Sequence, residues 1–552
     1  MAIDRPSGLR REISWSGWGD PAVAAPLPEA LRSLLRGALG IERPGPPVPP
    51  LEDLRLAPAR LPDAIVSELA QIVGAAHARA DHEARARHAR GKSTIDLLEL
   101  RAGGPLDAPD LVVDPASHDE VQAVLDCCSA RRVAVIPFGG GTSVVGGLHP
   151  DAAGFTGTVA LDVRRMDALV ALDEESRLAV LEPGLRGPEA EALVGARGYT
   201  LGHFPQSWEY ATLGGFAAAR SSGQSSAGYG RFDERVMALR VATPAGTLAL
   251  GRAPRSAAGP DLRQLLLGSE GTLGVISELS LRVREAPRER IFDGVFFGDF
   301  AAGAQAMREL IQSGAAPHVA RLSDEAETRM SLALAGTGGL KGRLGRAYLR
   351  ARGYGDGCLA IFGYEGSDER QTRGRRERGL AIARDHGGLP VGHSPGEAWL
   401  KGRFEAPYLR DDLLTQGVLV ETLETATRWS NVQRLHGAVT RAIEGALRDR
   451  GTPGLVMCHI SHLYETGASL YFTFIARQQQ GEELAQWRSA KEAASRAITE
   501  SGGTITHHHA VGRDHAPWMA AEVGERGLGA LRAVKAELDP AGIMNPGKLF
   551  AG

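Results

Sequence analysis

The run Pro137-Phe138-Gly139-Gly140-Gly141-Thr142-Ser143-Val144-Val145-Gly146-Gly147-Leu148 constrains this chain most. It follows Val133-Ala134-Val135-Ile136, a short apolar segment that reads as a buried strand. Five glycines in a dozen residues strip away the side chains that would hold a backbone off a bound anion. Consecutive N–H groups can then face one concavity, an arrangement that favours phosphate oxygens. The hydroxyls of Thr142 and Ser143 add donors. The spacing is not G-x-G-x-x-G opening a helix, and no Gly-Lys-Ser/Thr follows, so neither the Rossmann nor the Walker pattern fits. A flexible glycine-rich turn is the plainer alternative for this segment taken alone.

The chain has 552 residues, enough for a large core and, by the usual prior, roughly three or four domains. Lys plus Arg number 63 and Asp plus Glu 66, a net charge of -3 without blocks of one sign. No basic stripe is apparent, so nucleic acid is not expected as a partner. Cys127, Cys128, Cys358 and Cys458 show neither disulfide nor zinc spacing. Without a basic-then-apolar leader or a run of about 18 apolar residues, a cytoplasmic protein is expected. Peripheral contact with a membrane surface stays compatible with that reading.

Residues 41–62 are proline-rich and read as an extended connector, and 63–90 reads as one long helix with Val66, Leu69, Ile72 and Val73 on its apolar face. Ser117 and Glu120 stand at capping-box spacing ahead of Val121, Val124, Leu125 and Cys128. Short strands and helices alternate to about residue 285, and longer helical patterns alternate with strands to about 500. The expected organisation is a helical N-terminal region (1–105), a cofactor-binding domain (106–285), a cap or substrate domain (286–500) and a C-terminal segment (501–552) returning to the first site.

Three more small-residue segments follow: Leu213 to Gly228, Asp261 to Ile276, and Leu538-Asp539-Pro540-Ala541-Gly542-Ile543-Met544-Asn545-Pro546-Gly547-Lys548. Small residues at this density let backbone lie against a flat ligand. Taken in order, the four segments resemble the vanillyl-alcohol oxidase superfamily of flavoenzymes. The resemblance implies an α+β fold: a two-part FAD-binding domain of the PCMH type, an α/β cap domain and a helical N-terminal region. It implies FAD held by Pro137, Gly139, Gly140, Gly141, Thr142 and Ser143 at the pyrophosphate. It also implies flavin and adenosine contacts from Gln206, Ser207, Thr212, Gly214, Gly215, Ser221, Ser222, Gly223, Glu270, Gly271, Thr272, Val275 and Ile276. Relatives that attach flavin covalently from the glycine loop carry His there. Residues 139–143 have none, so dissociable FAD is expected.

Within that superfamily the chain is similar to the alkyldihydroxyacetonephosphate synthase family. The likeness rests on Trp15-Ser16-Gly17-Trp18-Gly19, 202–209, 320–324, Tyr408-Leu409-Arg410-Asp411, 421–429, 464–472 and His507-His508-His509-Ala510-Val511-Gly512. On a strand His507 and His509 would share a face and His508 the other, so a bend is needed for all three to line one pocket. No metal is expected, because no carboxylate or Cys companion is obvious. Donors near a flavin, able to stabilise an oxyanion, are the reading the resemblance implies for all three. Alternation puts Tyr471, Thr473 and Ile475 on one strand face. By resemblance Tyr471 removes a proton from substrate C1, which calls for a phenol pKa lowered by cationic neighbours. Arg321 and Arg410 are expected to hold the substrate phosphate or carboxylate, with Arg410 also among the catalytic residues.

The implied activity exchanges the acyl chain of acyl-dihydroxyacetone phosphate for a fatty alcohol, giving an ether lipid precursor without net redox change. The implied partners are a lipid-like small-molecule substrate and a second copy of the chain in a homodimer. The rival reading is a FAD-dependent oxidoreductase of a 2-hydroxy acid such as D-lactate or glycolate.

Overall fold

The computed structural model describes residues 10–24, 27, 29–334 and 340–550. Val133–Phe138 is a buried strand, as its unbroken apolar run requires, and it pairs in parallel with Gly157–Asp162. Leu111–Val113 and Ala78–Arg79 complete a four-stranded sheet. Helix His118–Arg131 covers it, burying Val121, Val124, Leu125 and Cys128, and the Ser117 hydroxyl caps it by accepting the Glu120 N–H. The C-terminal segment adds to the same sheet. Val135 N–H donates to Ile543 O at 2.8 Å, and Asn545 N–H donates to Val135 O at 2.8 Å.

The second half of the module is a five-stranded antiparallel sheet in the order 169–173, 178–181, 275–282, 236–243, 246–250. The cap is a seven-stranded antiparallel sheet running 389–392, 289–297, 358–366, 319–323, 454–464, 467–477, 418–428. Helices 300–312, 432–449 and 483–500 close one face of it over the largest core. The alternation on 467–477 holds. Leu470, Phe472 and Phe474 enter that core, Ile475 joins a different apolar cluster, and Tyr471 lies half-buried on Ile475's side.

The N-terminal region differs from its sequence-based outline. The expected long helix over 63–90 stops at Val73, because Gly74 turns the chain at φ +87 and a short strand follows before helix His82–Arg87. Residues 63–79 pack on the first sheet, while Leu97, Leu98 and Leu100 pack into the cap core. Residues 63–100 therefore contact both modules, the first part packing on the first sheet and the last part in the cap core. All four cysteines are free and buried. Among the described residues no helix is long and apolar enough to cross a membrane.

Candidate active site

At the end of strand Val133–Phe138 the chain runs into space that only glycine fits. A Cβ on Gly139 would overlap the Thr212 hydroxyl, and one on Gly140 would overlap the Tyr210 carbonyl. Gly141 adopts φ +70. No protein acceptor among the described residues takes the amide N–H of Gly140, Gly141 or Thr142. Ser143 is fixed from behind: its carbonyl accepts Lys92 N–H at 2.6 Å and its hydroxyl accepts Gly147 N–H at 3.0 Å. A bare row of unspent amides at a strand's end fits a pyrophosphate.

The other expected cofactor residues divide into two groups. Thr212 caps helix Leu213–Ala218, bringing Gly214 and Gly215 beside the glycine loop. The Ser221 hydroxyl meets His203 Nε2 at 3.1 Å, and the Ser222 hydroxyl meets His462 Nδ1 at 3.2 Å. Gly271, at φ +73, faces the Pro137 ring, so these loops touch. Gln206 instead donates to the Arg403 carbonyl at 2.9 Å, and the Ser207 carbonyl closes a turn by accepting Tyr210 N–H. The Thr272 hydroxyl is spent on Ser269 O at 2.7 Å, while Val275 and Ile276 enter apolar cores. The Glu270 carboxylate accepts the N–H groups of Val511 and Gly512, both at 2.8 Å, so it holds the C-terminal segment. Burial pushes that carboxyl up to about 7 despite the two amides.

The histidine segment is bent and lies around one buried carboxylate. Glu424, on strand Val418–Arg428, accepts the amides of His507 at 2.6 Å, His508 at 2.9 Å and His509 at 2.8 Å. The three ring Nδ1 atoms lie 3.6–3.9 Å from its oxygens. The required bend is therefore present, and its organiser is a strand residue that the sequence pattern left unmarked. Burial opposes ionisation of Glu424, yet the three backbone amides it accepts hold its carboxyl well below the carboxylate range. Burial holds all three imidazoles below their ordinary value, and thus neutral at physiological pH. His462 stacks on His507 at 5.0 Å between ring centres. His462, His507 and His508 offer ring nitrogens within 4.8 Å of one another, a spacing able to hold a metal ion that the sequence could not show without His462.

Tyr471 stacks on His459 at 4.9 Å and lies 6.2 Å from the His508 ring and 5.4 Å from the His509 ring. Its phenol is not lowered as expected. Burial pushes it up to about 12, with Glu424 and Glu421 adding to the shift and a Thr422 hydrogen bond and Arg321 opposing it. Arg321 reaches this cluster, but its guanidinium is engaged by Glu327 at 2.9 Å and by His459 at 3.0–3.1 Å. Arg410 points elsewhere: its Nη1 donates to the Lys92 carbonyl at 2.6 Å, and its Nε and Nη2 face Asp411 at 3.3–3.4 Å. Asp411 accepts the Trp18 N–H, and the Tyr408 hydroxyl meets the Tyr210 hydroxyl at 2.9 Å. The Trp15–Gly19 segment is thus clasped between the glycine-loop module and the cap.

Comparison with known proteins agrees with this architecture. A family model described as FAD binding domain matches residues 109–250, and one described as FAD linked oxidases, C-terminal domain matches 286–549. An alkyldihydroxyacetonephosphate synthase of Dictyostelium discoideum is 33% identical over 98% of this chain and 94% of its own length. A solved alkyldihydroxyacetonephosphate synthase superposes with a TM-score of 0.82 at 30% identity, covering 97% of this chain and 99% of the other. The glycolate oxidase subunit GlcD of Bacillus subtilis is 26% identical over 80% of this chain and 89% of its own length, a more distant likeness. With both FAD modules in place and an end-to-end match, the chain belongs to the alkyldihydroxyacetonephosphate synthase family, whose members are FAD-dependent enzymes.

Proposed function

We propose that this chain exchanges the acyl group of acyl-dihydroxyacetone phosphate for a fatty alcohol, forming the ether bond of an ether lipid precursor. The observation that carries this reading is the packing of Tyr471 against His508 and His509 around Glu424, in a chain similar over nearly its whole length to the synthases. FAD, when bound, supplies the carbon-centred chemistry of the exchange. The unspent amides of Gly140, Gly141 and Thr142 hold its pyrophosphate, and a histidine-free 139–143 run favours dissociable cofactor.

The chain's own work is to move a proton and manage charge. Tyr471 takes the proton from substrate C1 as its phenolic proton passes to a neutral imidazole of the 507–509 set. The imidazolium that forms lies beside ionised Glu424, which stabilises it. This route suits a phenol held near 12, because it never needs free phenolate at rest. Arg321 supplies positive charge next to Tyr471 for the substrate phosphate. Arg410 is a positioning residue that fixes Lys92, and through it Ser143.

The test is incubation of the holoenzyme with acyl-dihydroxyacetone phosphate and hexadecanol, followed by mass spectrometry. Ether product without flavin bleaching is the expected result. Anaerobic bleaching by D-lactate or glycolate, with no ether formed, would replace this reading with a hydroxy-acid oxidoreductase.

A further inference from the structure

Beside the turn that follows the histidine segment lies a cavity of about 290 Å³, bounded by helix Thr94–Ala102, helix Glu483–Glu500 and the turn at 513–518. Ile95, Trp487 and Trp518 form its apolar side. Its polar side holds Lys491, only 5% exposed, with no ion-pair or hydrogen-bond partner among the described residues. Asp514 lines the same cavity with a buried Oδ2 that also lacks a hydrogen-bond partner.

The remaining carboxylates of the wall are engaged or exposed. Asp96 accepts the Ser93 N–H at 3.1 Å within a capping box, Glu99 accepts from Arg90 Nε at 3.3 Å, and Glu492 stands exposed at the rim. The Lys491 ammonium opens onto the cavity and acts on Asp514 only through space, without a hydrogen bond between them, so a ligand anion would give it a direct partner. Burial raises the Asp514 carboxyl to about 7, so near neutral pH it is available as an O–H donor. The volume is that of about ten water-sized groups at roughly 30 Å³ each, enough for a medium chain.

We propose that this cavity binds a carboxylate bearing an apolar chain, with the headgroup on Lys491 and Asp514 and the first methylenes against Trp487 and Trp518. Because Lys491 lies close enough to His509 to act on its charge, the cavity is suited to receive a fatty acid leaving the active site. That last assignment rests on the proposed exchange reaction, whereas the binding itself does not.

Calorimetric titration of the FAD-loaded, full-length protein with decanoate, in the absence of substrate, tests it. Decanoate is expected to bind, Lys491→Met to weaken it by about tenfold or more, and Lys491→Arg to keep it within about threefold. Trp518→Ala, which leaves the charge in place, should weaken decanoate by about fivefold or more. Decanol and inorganic phosphate separate chain from charge, and each alone should bind about tenfold more weakly than decanoate. The proposal falls if wild type does not take up decanoate, if Lys491→Met binds it as tightly as wild type, or if phosphate alone matches it. None of these readings depends on turnover, so a failed exchange assay would leave them interpretable.

Discussion

Glu424 Oε1 accepts the His508 N–H at 2.9 Å while Oε2 of the same carboxylate lies 3.6 Å from His508 Nδ1. One strand residue thus sets both the path of the histidine backbone and the field around its rings. Glu424→Gln keeps the shape but removes the charge that stabilises an imidazolium. Turnover should fall by about 10²-fold with FAD absorbance unchanged. Steady-state kinetics within about twofold of wild type would remove Glu424 from proton handling.

Tyr471→Phe deletes the phenol while keeping the ring stacked on His459. A loss of about 10²–10⁴-fold in kcat is expected, with the flavin spectrum intact. Full retained activity would take Tyr471 out of the reaction.

Mild acid should destabilise this protein through its buried histidines. Ten of sixteen histidines have depressed values, among them His509 at about 3 and His515 at about 4. Unfolded histidine takes up a proton below about 6.5 and these folded ones do not, so stability is lost as pH falls from about 6.5 toward 4. Each of His509 and His515 costs about 2 kcal/mol at pH 5 on this basis. Five carboxyls with raised values (Glu182, Glu191, Glu209, Glu270 and Asp514) act in the opposite sense, and the histidines outnumber them. Tm measured between pH 7.5 and 5 should fall steadily, and a flat or rising profile would contradict the buried, neutral assignment.

Gly140→Ala places a methyl group against the Tyr210 carbonyl. The loop must shift and its amides lose their common aim. FAD affinity should drop by about tenfold or more and Tm by about 4 °C. Visible absorbance per protein after gel filtration measures the first, and a fully yellow variant would disprove the cradle.

Local patterns in the sequence translated well into structure. The apolar run before Gly139, the Ser117 cap and the period of two around Tyr471 each depend on neighbours within a few residues, so they could be read directly. The stop at Gly74 is also local, but an Ala- and Arg-rich continuation masked it. What stayed hidden was long-range. Glu424 meets histidines more than eighty positions later, and Glu270 meets Val511 across 241 positions. A signal for Glu424 did exist: two carboxylates, Glu421 and Glu424, sit inside a strand otherwise built for burial. The commitments of Arg321 to Glu327 and of Arg410 to Lys92 had no such trace, because arginine reach is set by tertiary neighbours.

Residues 507–512 are moored at two ends, by Glu424 from the cap and by Glu270 from the glycine-loop module. If those two bodies swung apart like jaws, one mooring would have to break and leave a buried carboxylate without its amide donors. A jaw-like opening between the two modules would therefore cost at least one of these amide pairs, whereas side-chain or loop rearrangement at the site would cost neither.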